Sequence, residues 1–188
     1  MLDPNSAEES QVLLLGRIAS GDRQAVAEFY DQIAGPLFSI ATRILGDAHE
    51  AEEVVQDVFV QIWEKAATFD AALGSPITWA MRVTRNRSID RLRSRQRRGK
   101  LAEQFQENFE IITDGQTATA ALDEEAVGYI HATVSSLPAD QKRVIEMAFF
   151  GGLTHVEIAA ALGEPLGTIK ARIRRGMMKL RESLQGYL

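Results

Sequence analysis

The sequence predicts an all-α protein built as two small helical domains joined by a flexible linker, and three observations lead to this. Apolar residues recur every three or four positions along most of the chain, which is the spacing of one face of an α-helix. Glycines, prolines and helix-capping residues separate these segments. No segment alternates apolar and polar residues as a half-buried β-strand does. With 188 residues, the chain has room for two such domains.

Capping residues delimit the predicted helices of the N-terminal half. Gly21 ends a short first helix, and Asp22 caps a second helix in which a kink is predicted at Gly35-Pro36. Asp47 caps a third helix, and Ser75-Pro76 begins a fourth, with serine as the cap and proline in the first turn. These helices form a first predicted domain over residues 8–98.

Residues 99–122 differ from the regions on either side of them. Large apolar side chains are sparse there, the helical periodicity is lost, and Gln, Thr, Ala, Asp and Gly accumulate. This composition is typical of a flexible linker. Helical periodicity returns in a second predicted domain over residues 123–188.

A helix-turn-helix is predicted near the C-terminus. Thr154 and Glu157 form a capping box that begins a short helix, and this helix ends at Gly163 before a longer basic helix. The longer helix of such a motif enters the major groove of DNA. Its predicted inward-facing residues are Ile169, Ile173, Met177, Leu180 and Leu184. Its outward-facing residues, which could bind phosphates and base edges, are Thr168, Lys170, Arg172, Arg174, Arg175 and Lys179. A basic, solvated helix at the end of a bundle is the alternative.

Charge alternates along the chain in four blocks that the formal net charge of −5 conceals. Asp47–Glu64 holds six acids and no base, whereas Trp79–Lys100 holds nine bases and one acid. Leu101–Gly128 then holds seven acids and no base, and Leu166–Arg181 holds six bases and no acid. Two basic helices separated by an acidic stretch indicate two separate contacts with a polyanion.

The fourth helix carries the first of these basic surfaces. Its predicted buried stripe consists of Ile77, Met81, Thr84 and Leu92. A different stripe, at steps of three or four, consists of Arg82, Arg85, Asn86, Ile89 and Arg93. Arginine and asparagine can bind phosphates and base edges. Phe69 and Trp79 flank the start of this helix and could stack on unpaired bases, although aromatic residues of helical proteins more often belong to the core.

The sequence lacks the residues that several other classes of function need. The chain has no cysteine, no secretory signal and no apolar run long enough to span a bilayer, which predicts a cytoplasmic protein without membrane insertion. His49, His131 and His155 lack metal-ligand spacing, and no phosphate loop or serine nucleophile motif is present. We therefore expect no catalytic residue, no metal and no cofactor. The carboxylates near the start of the third helix fit a solvated acidic face; they are Glu52, Glu53 and Asp57.

These segments, in this order, resemble the extracytoplasmic-function (ECF) family of bacterial RNA polymerase sigma factors. Residues 47–63 (DAHEAEEVVQDVFVQIW) are similar to the acidic signature helix of the family, and residues 79–93 (WAMRVTRNRSIDRLR) to its basic helix. Residues 149–163 (FFGGLTHVEIAAALG) and 167–172 (GTIKAR) resemble the helix-turn-helix of its second domain.

The resemblance implies a subunit that directs core RNA polymerase to promoters, commonly under the control of an anti-sigma factor. The third helix would bind the polymerase through Gln56, Asp57, Gln61 and Trp63. The basic helix and the loop before it would open and bind the minus-ten element through Phe69, Trp79, Arg82, Arg85, Asn86 and Arg93. The helix-turn-helix would bind the duplex minus-thirty-five element through Thr168, Lys170, Arg172, Arg174 and Arg175.

Two other interpretations are compatible with parts of the sequence. A decoy that resembles a sigma factor could sequester an anti-sigma factor without binding DNA, but both basic helices are intact here. An ordinary helix-turn-helix regulator could bind duplex DNA as a dimer, but the third and fourth helices would then have no role.

Overall fold

The computed structural model describes the backbone of residues 4–102 and 132–185 and the side chains of residues 7–97 and 132–185. The chain divides into two compact units, Met1–Ala121 and Leu122–Leu188. The regular structure of the described residues consists of helices and 3-10 turns, and no strand occurs among them. The prediction of an all-α protein with two small helical domains is confirmed.

The predicted linker falls mostly outside the described residues. Residues 99–102 continue the long fourth helix, which ends at Ala102. Residues 103–122, and residues 123–131 at the start of the second predicted domain, are not among those that the structure describes.

The first unit contains four described helices, with two 3-10 turns between the third and the fourth. The helices are α1 (Pro4–Ala19), α2 (Arg23–Leu45), α3 (Ala48–Lys65) and α4 (Pro76–Ala102), and the turns are Ala66–Thr68 and Ala71–Leu73.

Side-chain caps begin α2 and α3 at the predicted residues. The Asp22 carboxylate accepts hydrogen bonds from the backbone N–H groups of Gln24 and Ala25 at 2.9 and 3.3 Å. The Asp47 carboxylate accepts one from the Glu50 N–H at 2.9 Å, and this hydrogen bond lowers the pKa of Asp47. Each carboxylate thereby satisfies N–H groups that have no partner within their own helix.

The central helix of the first unit is α2, which contacts each of the other three. It is continuous from Arg23 to Leu45, and Pro36, where a kink is predicted, is buried inside it. Fully buried apolar side chains from α1, α2 and α3 form the core; they include Leu15, Ile18, Phe29, Ile33, Leu37, Val58 and Ile62. Burial of this apolar surface, at about 25 cal/mol per Å², is the main term that holds the helices together.

The buried face of α4 contains small polar side chains as well as apolar ones. Thr84 and Ser88 are fully buried, and their hydroxyls donate to the carbonyl oxygens of Ala80 and Thr84, each at 2.9 Å. A hydroxyl bonded within its own helix needs no partner from a neighbouring helix, so these small residues allow α4 to pack closely. Leu92 of the predicted stripe is also buried. The remaining members of that stripe are half-buried: Ile77 and Met81.

The described part of the second unit begins with a helical stretch at residues 132–135, and three further helices follow it. These are α5 (Ala139–Phe149), α6 (His155–Leu162) and α7 (Leu166–Gln185). Their shared core consists of Val144, Met147, Ile158 and Ile169.

The helix-turn-helix geometry follows the sequence prediction. The Thr154 hydroxyl accepts from the Glu157 N–H at 3.2 Å, and the Glu157 carboxylate accepts from the Thr154 N–H at 2.6 Å, which completes the capping box. The helix ends at Gly163, whose φ of 64° lies in the left-handed region that favours glycine. At the crossing of α5 and α7, a Cβ on Gly176 would lie 2.5 Å from the Ile145 side chain, so glycine permits the close approach.

Candidate nucleic-acid interface

Two rows of mainly basic residues lie on adjoining faces of α4. The first row is exposed, and its members share one face because they recur at steps of three or four; they are Arg82, Asn86, Asp90, Arg93 and Arg97. The second row is directed at α3 and consists of Arg87, Arg91 and Arg95. The charge pattern of the sequence placed all of these residues in one block, and the contacts with α3 show which of the bases are paired with carboxylates.

The second row pairs with carboxylates of α3. The pairs are Arg87 with Asp57, Arg91 with Glu53, and Arg95 with Glu50. Arg95 also donates to the backbone carbonyl of Leu45, the last residue of α2, at 3.1 Å. The predicted acidic face on α3 is exposed at Glu52 and Asp57, whereas Glu53 is half-buried, and both Glu53 and Asp57 are ion-paired with α4. Exposed pairs of this kind add little stability.

The four α3 residues expected to bind polymerase fall on two neighbouring faces. Gln56 and Trp63 are exposed and share a face with Val60, which is 59% exposed. Asp57 and Gln61 lie toward α4, where the Asp57 side chain is 60% exposed and Gln61 is half-buried. Sequence reasoning missed Val60, although its position four residues after Gln56 and three before Trp63 places it on their face.

A groove of about 740 Å³ runs between α3 and α4. It brings together residues from two separate predictions, since Asp57 and Gln61 line one wall and Asn86 lines the other. The remaining lining residues are Val54, Val83, Arg87, Asp90, Arg91 and Ser94. A partner that enters this groove contacts α3 and α4 at the same time.

An aromatic pair marks the start of α4. The rings of Phe69 and Trp79 have centroids 5.7 Å apart and planes inclined by 55°. With Leu73 and Arg82 they line a shallow depression of about 70 Å³. Both rings are half-buried, so they pack against the protein and still offer accessible surface. Leu73, which sequence reasoning did not single out, is 79% exposed beside them.

Two residues of the predicted DNA-binding stripe of α4 are less accessible to a partner than the other members are. Ile89 is buried and belongs to the core. Arg85 is half-buried, and this burial lowers the pKa of its guanidinium, which donates to the Asn86 side chain at 3.4 Å. Sequence reasoning also missed Arg97, which continues the exposed row four residues after Arg93 and could have been found from that spacing.

Most of the predicted DNA-binding residues of α7 are accessible. Lys170, Arg174 and Arg175 are exposed, and Thr168 is half-buried. Arg175 donates to the Ala171 carbonyl at 3.3 Å. Within the part of the chain that the structure describes, Lys170 and Arg174 make no ion pair.

Arg172 is occupied by contacts inside the second unit. Its guanidinium pairs with Asp140 at 2.9 Å and with Glu164 at 2.5 Å, which ties α7 to the start of α5 and to the preceding turn. The hydrogen bond with Glu164 is the main cause that raises the pKa of Arg172. Met177, predicted to face inward, is 53% exposed because the buried side of α7 is centred on Ile169 and Gly176.

Across the described ranges, no group of three or more His, Asp or Glu side chains is arranged to hold a metal ion. The described helices also include none that is long and apolar enough to cross a membrane.

Comparisons with known proteins match both units. The Sigma-70 region 2 family model matches residues 29–98, and the Sigma-70 region 4 model matches residues 134–182. The ECF RNA polymerase sigma factor SigK of Mycobacterium ulcerans (strain Agy99) is 31% identical over 185 residues, which is 98% of each chain. This chain belongs to the ECF family of RNA polymerase sigma factors.

A second relative of this sigma factor agrees with the assignment. The SigK protein of Mycolicibacterium vanbaalenii is 33% identical over 172 residues, covering 91% of this chain and 87% of the relative. Among solved structures, Rhodobacter sphaeroides SigE in complex with the anti-sigma ChrR is 34% identical, with 93% of this chain and 98% of that chain aligned and a TM-score of 0.47.

Family membership gives the activity of this sigma factor, which directs core RNA polymerase to promoters. The region 2 match covers α3 and most of α4, the helices that an ordinary helix-turn-helix regulator would leave without a role. The interpretation as such a regulator is therefore set aside.

Proposed function

We propose that the two units of this sigma factor divide promoter recognition between them. The first unit docks on core polymerase and opens the minus-ten element, and the second unit binds the minus-thirty-five element as duplex DNA. The observation that carries this proposal is the separation of the two rows on α4, one paired with α3 and the other exposed. A helix built in this way can be anchored to the polymerase-binding helix and still offer cations to DNA.

Docking on polymerase is assigned to α3, through Gln56, Asp57, Gln61 and Trp63. Exposed apolar area from Trp63 and Val60, bordered by amide and carboxylate groups, is the composition expected of a protein interface. The exposed carboxylates of Glu52 and Glu64 on this helix would repel a DNA backbone, which also favours a protein partner.

Opening of the minus-ten element is assigned to the exposed row of α4 and the aromatic pair. Phosphates and base edges of the non-template strand would be bound by Arg82, Asn86 and Arg93, with Arg85 at the margin of the row. Phe69 and Trp79 would stack on a base that has left the duplex, a contact that contributes about 1–3 kcal/mol per base. Leu73 beside them would supply an apolar contact to the unstacked step.

Binding of the minus-thirty-five element is assigned to the first half of α7. The major groove would be contacted by Thr168, Lys170, Arg174 and Arg175. Arg172 would contribute by holding the turn before the helix in place, since its guanidinium is already paired with Asp140 and Glu164.

Alanine substitution in α7 tests this assignment. Lys170→Ala and Arg174→Ala are each expected to weaken holoenzyme binding by about 1–3 kcal/mol where the side chain contacts a base, and to relax preference at one position of the minus-thirty-five element. The matched control is Lys179→Ala, an exposed cation further along the same helix, which should weaken all promoter sequences equally or not at all. Selection from a library with a randomised minus-thirty-five element provides the measurement. If both variants keep the full preference of the unmodified protein, α7 is not the helix that recognises this element.

Regulation and location follow from the same proposal. An anti-sigma factor would inhibit this protein by covering the α3 surface that polymerase needs. The protein would act in the cytoplasm, where polymerase and promoters meet, and the chemistry of RNA synthesis would belong to the polymerase alone.

A further inference from the structure

One guanidinium of α4 contacts two of the residues assigned to polymerase docking. The Nε of Arg87 donates to Oε1 of Gln61 at 3.0 Å, and a terminal nitrogen of the same group donates to Oδ2 of Asp57 at 3.4 Å. Arg87 is 26 residues from Gln61 and 30 from Asp57 in the sequence, so this bridge exists only in the folded first unit.

We propose that Arg87 is a positioning residue for polymerase docking, although it belongs to the helix that binds DNA. It would hold the side chains of Asp57 and Gln61 in the arrangement that polymerase recognises. This inference rests on the proposed docking role of α3.

The bridge determines which groups the two side chains present to a partner. Because the carbonyl oxygen of Gln61 accepts from Arg87, the amide NH₂ of Gln61 is left to donate outward. Arg87 contacts one oxygen of Asp57, and the side chain keeps 60% of its surface exposed. A partner therefore meets a donor and an acceptor whose positions the bridge favours, which lowers the cost of ordering these two side chains on binding.

Arginine suits this task better than lysine does. The planar guanidinium carries donors at fixed angles and can serve two acceptors on adjacent turns of α3 at once. A lysine ammonium is a single charge on a flexible stem, so it would hold Asp57 or Gln61 less firmly.

A matched control exists within the same row of α4. Arg95 also pairs with a carboxylate of α3, Glu50, at 3.3 Å, and its side chain is 46% exposed against 42% for Arg87. The contacts of Arg95 are to Glu50 and Leu45, neither of which belongs to the proposed docking residues.

The test measures the affinity of full-length variants for core RNA polymerase, with a fluorescent label on the sigma factor. Arg87→Ala is expected to weaken binding by about fivefold, the loss that ordering one or two side chains would cause. Arg87→Lys should lie between Arg87→Ala and the unmodified protein, and Arg95→Ala should stay within about twofold of the unmodified protein. Melting temperatures identify any variant that fails to fold, in which case Arg87→Lys carries the comparison.

The deciding comparison repeats Arg87→Ala in a chain that already carries Asp57→Ala and Gln61→Ala. A residue that acts through these two side chains should cause no further loss of affinity there. An equal loss in both backgrounds would overturn the proposal, because Arg87 would then contact polymerase itself or support the fold generally. No loss in either background would overturn it as well. The docking assignment fails separately if Asp57→Ala plus Gln61→Ala binds polymerase normally.

Discussion

Core RNA polymerase is expected to raise the affinity of this sigma factor for promoter DNA by about 100-fold or more. The free chain has a formal net charge of −5, which creates a repulsive far field for a polyanion. The exposed row of α4 offers the cations Arg82, Arg93 and Arg97, and contacts of this kind with phosphates weaken steeply with salt.

The minus-ten contact carries a further cost for the free protein. Under the proposed assignment, the target strand would have to be unpaired and unstacked before Phe69 and Trp79 could bind a base, and this costs a few kcal/mol. Docking through α3, as proposed, would cover part of this acidic helix and hold both units near one promoter, which would raise the effective concentration of the second contact. A promoter selected with the holoenzyme should therefore bind the isolated chain only at micromolar concentrations or above.

Titration of labelled promoter duplex at near-physiological salt, with and without core polymerase, measures this difference. Core polymerase without the sigma factor and a duplex with both promoter elements scrambled are the controls. Tight, sequence-specific binding by the isolated chain would contradict the expectation and would favour an autonomous DNA-binding regulator.

The combined substitution Asp57→Ala plus Gln61→Ala is expected to weaken binding to core polymerase by about tenfold or more. The Asp57 side chain is 60% exposed and Gln61 is half-buried, so their removal leaves no buried charge in the first unit. The variant should therefore fold, and the lost affinity should reflect the lost contacts with polymerase.

Glu52→Ala is the matched control for this variant, because Glu52 is an exposed carboxylate on the same helix outside the proposed docking residues. It should bind polymerase within about twofold of the unmodified protein, as expected of one exposed charge at the rim of the docking surface. Circular dichroism confirms the fold, and a binding titration with core polymerase gives the affinities. Normal binding by the folded double variant would refute the assignment of Asp57 and Gln61.

Local signals in the sequence predicted much of the fold. The caps at Asp22, Asp47 and Thr154 depend on side chains within three residues of the helix start, and all of them are present in the structure. The spacing of apolar residues also predicted most of the core. This signal is local too, because residues three or four positions apart share one face of a helix. The buried positions Thr84 and Ser88 show how packing can bury small polar residues whose hydroxyls bond within the helix.

Pairing between helices could not be predicted in the same way. The sequence showed nine bases in one block, but it did not show that Arg87, Arg91 and Arg95 turn toward α3. It likewise gave no reason to separate Arg172 from its neighbours in α7, because the partners of Arg172 lie on α5 and in a turn. These assignments depend on contacts between segments distant in the sequence, which periodicity does not encode.

Reconstituted transcription tests the central claim most directly. Core RNA polymerase is incubated with the full-length protein and a library of DNA fragments with randomised promoter elements, and the initiated transcripts are sequenced. We expect transcripts that start downstream of two short, spaced sequence elements, and that disappear when the protein is omitted or when α3 carries Asp57→Ala plus Gln61→Ala. Transcripts without any common upstream elements, or no initiation by a protein that nonetheless binds an anti-sigma factor, would contradict it and identify the protein as a decoy.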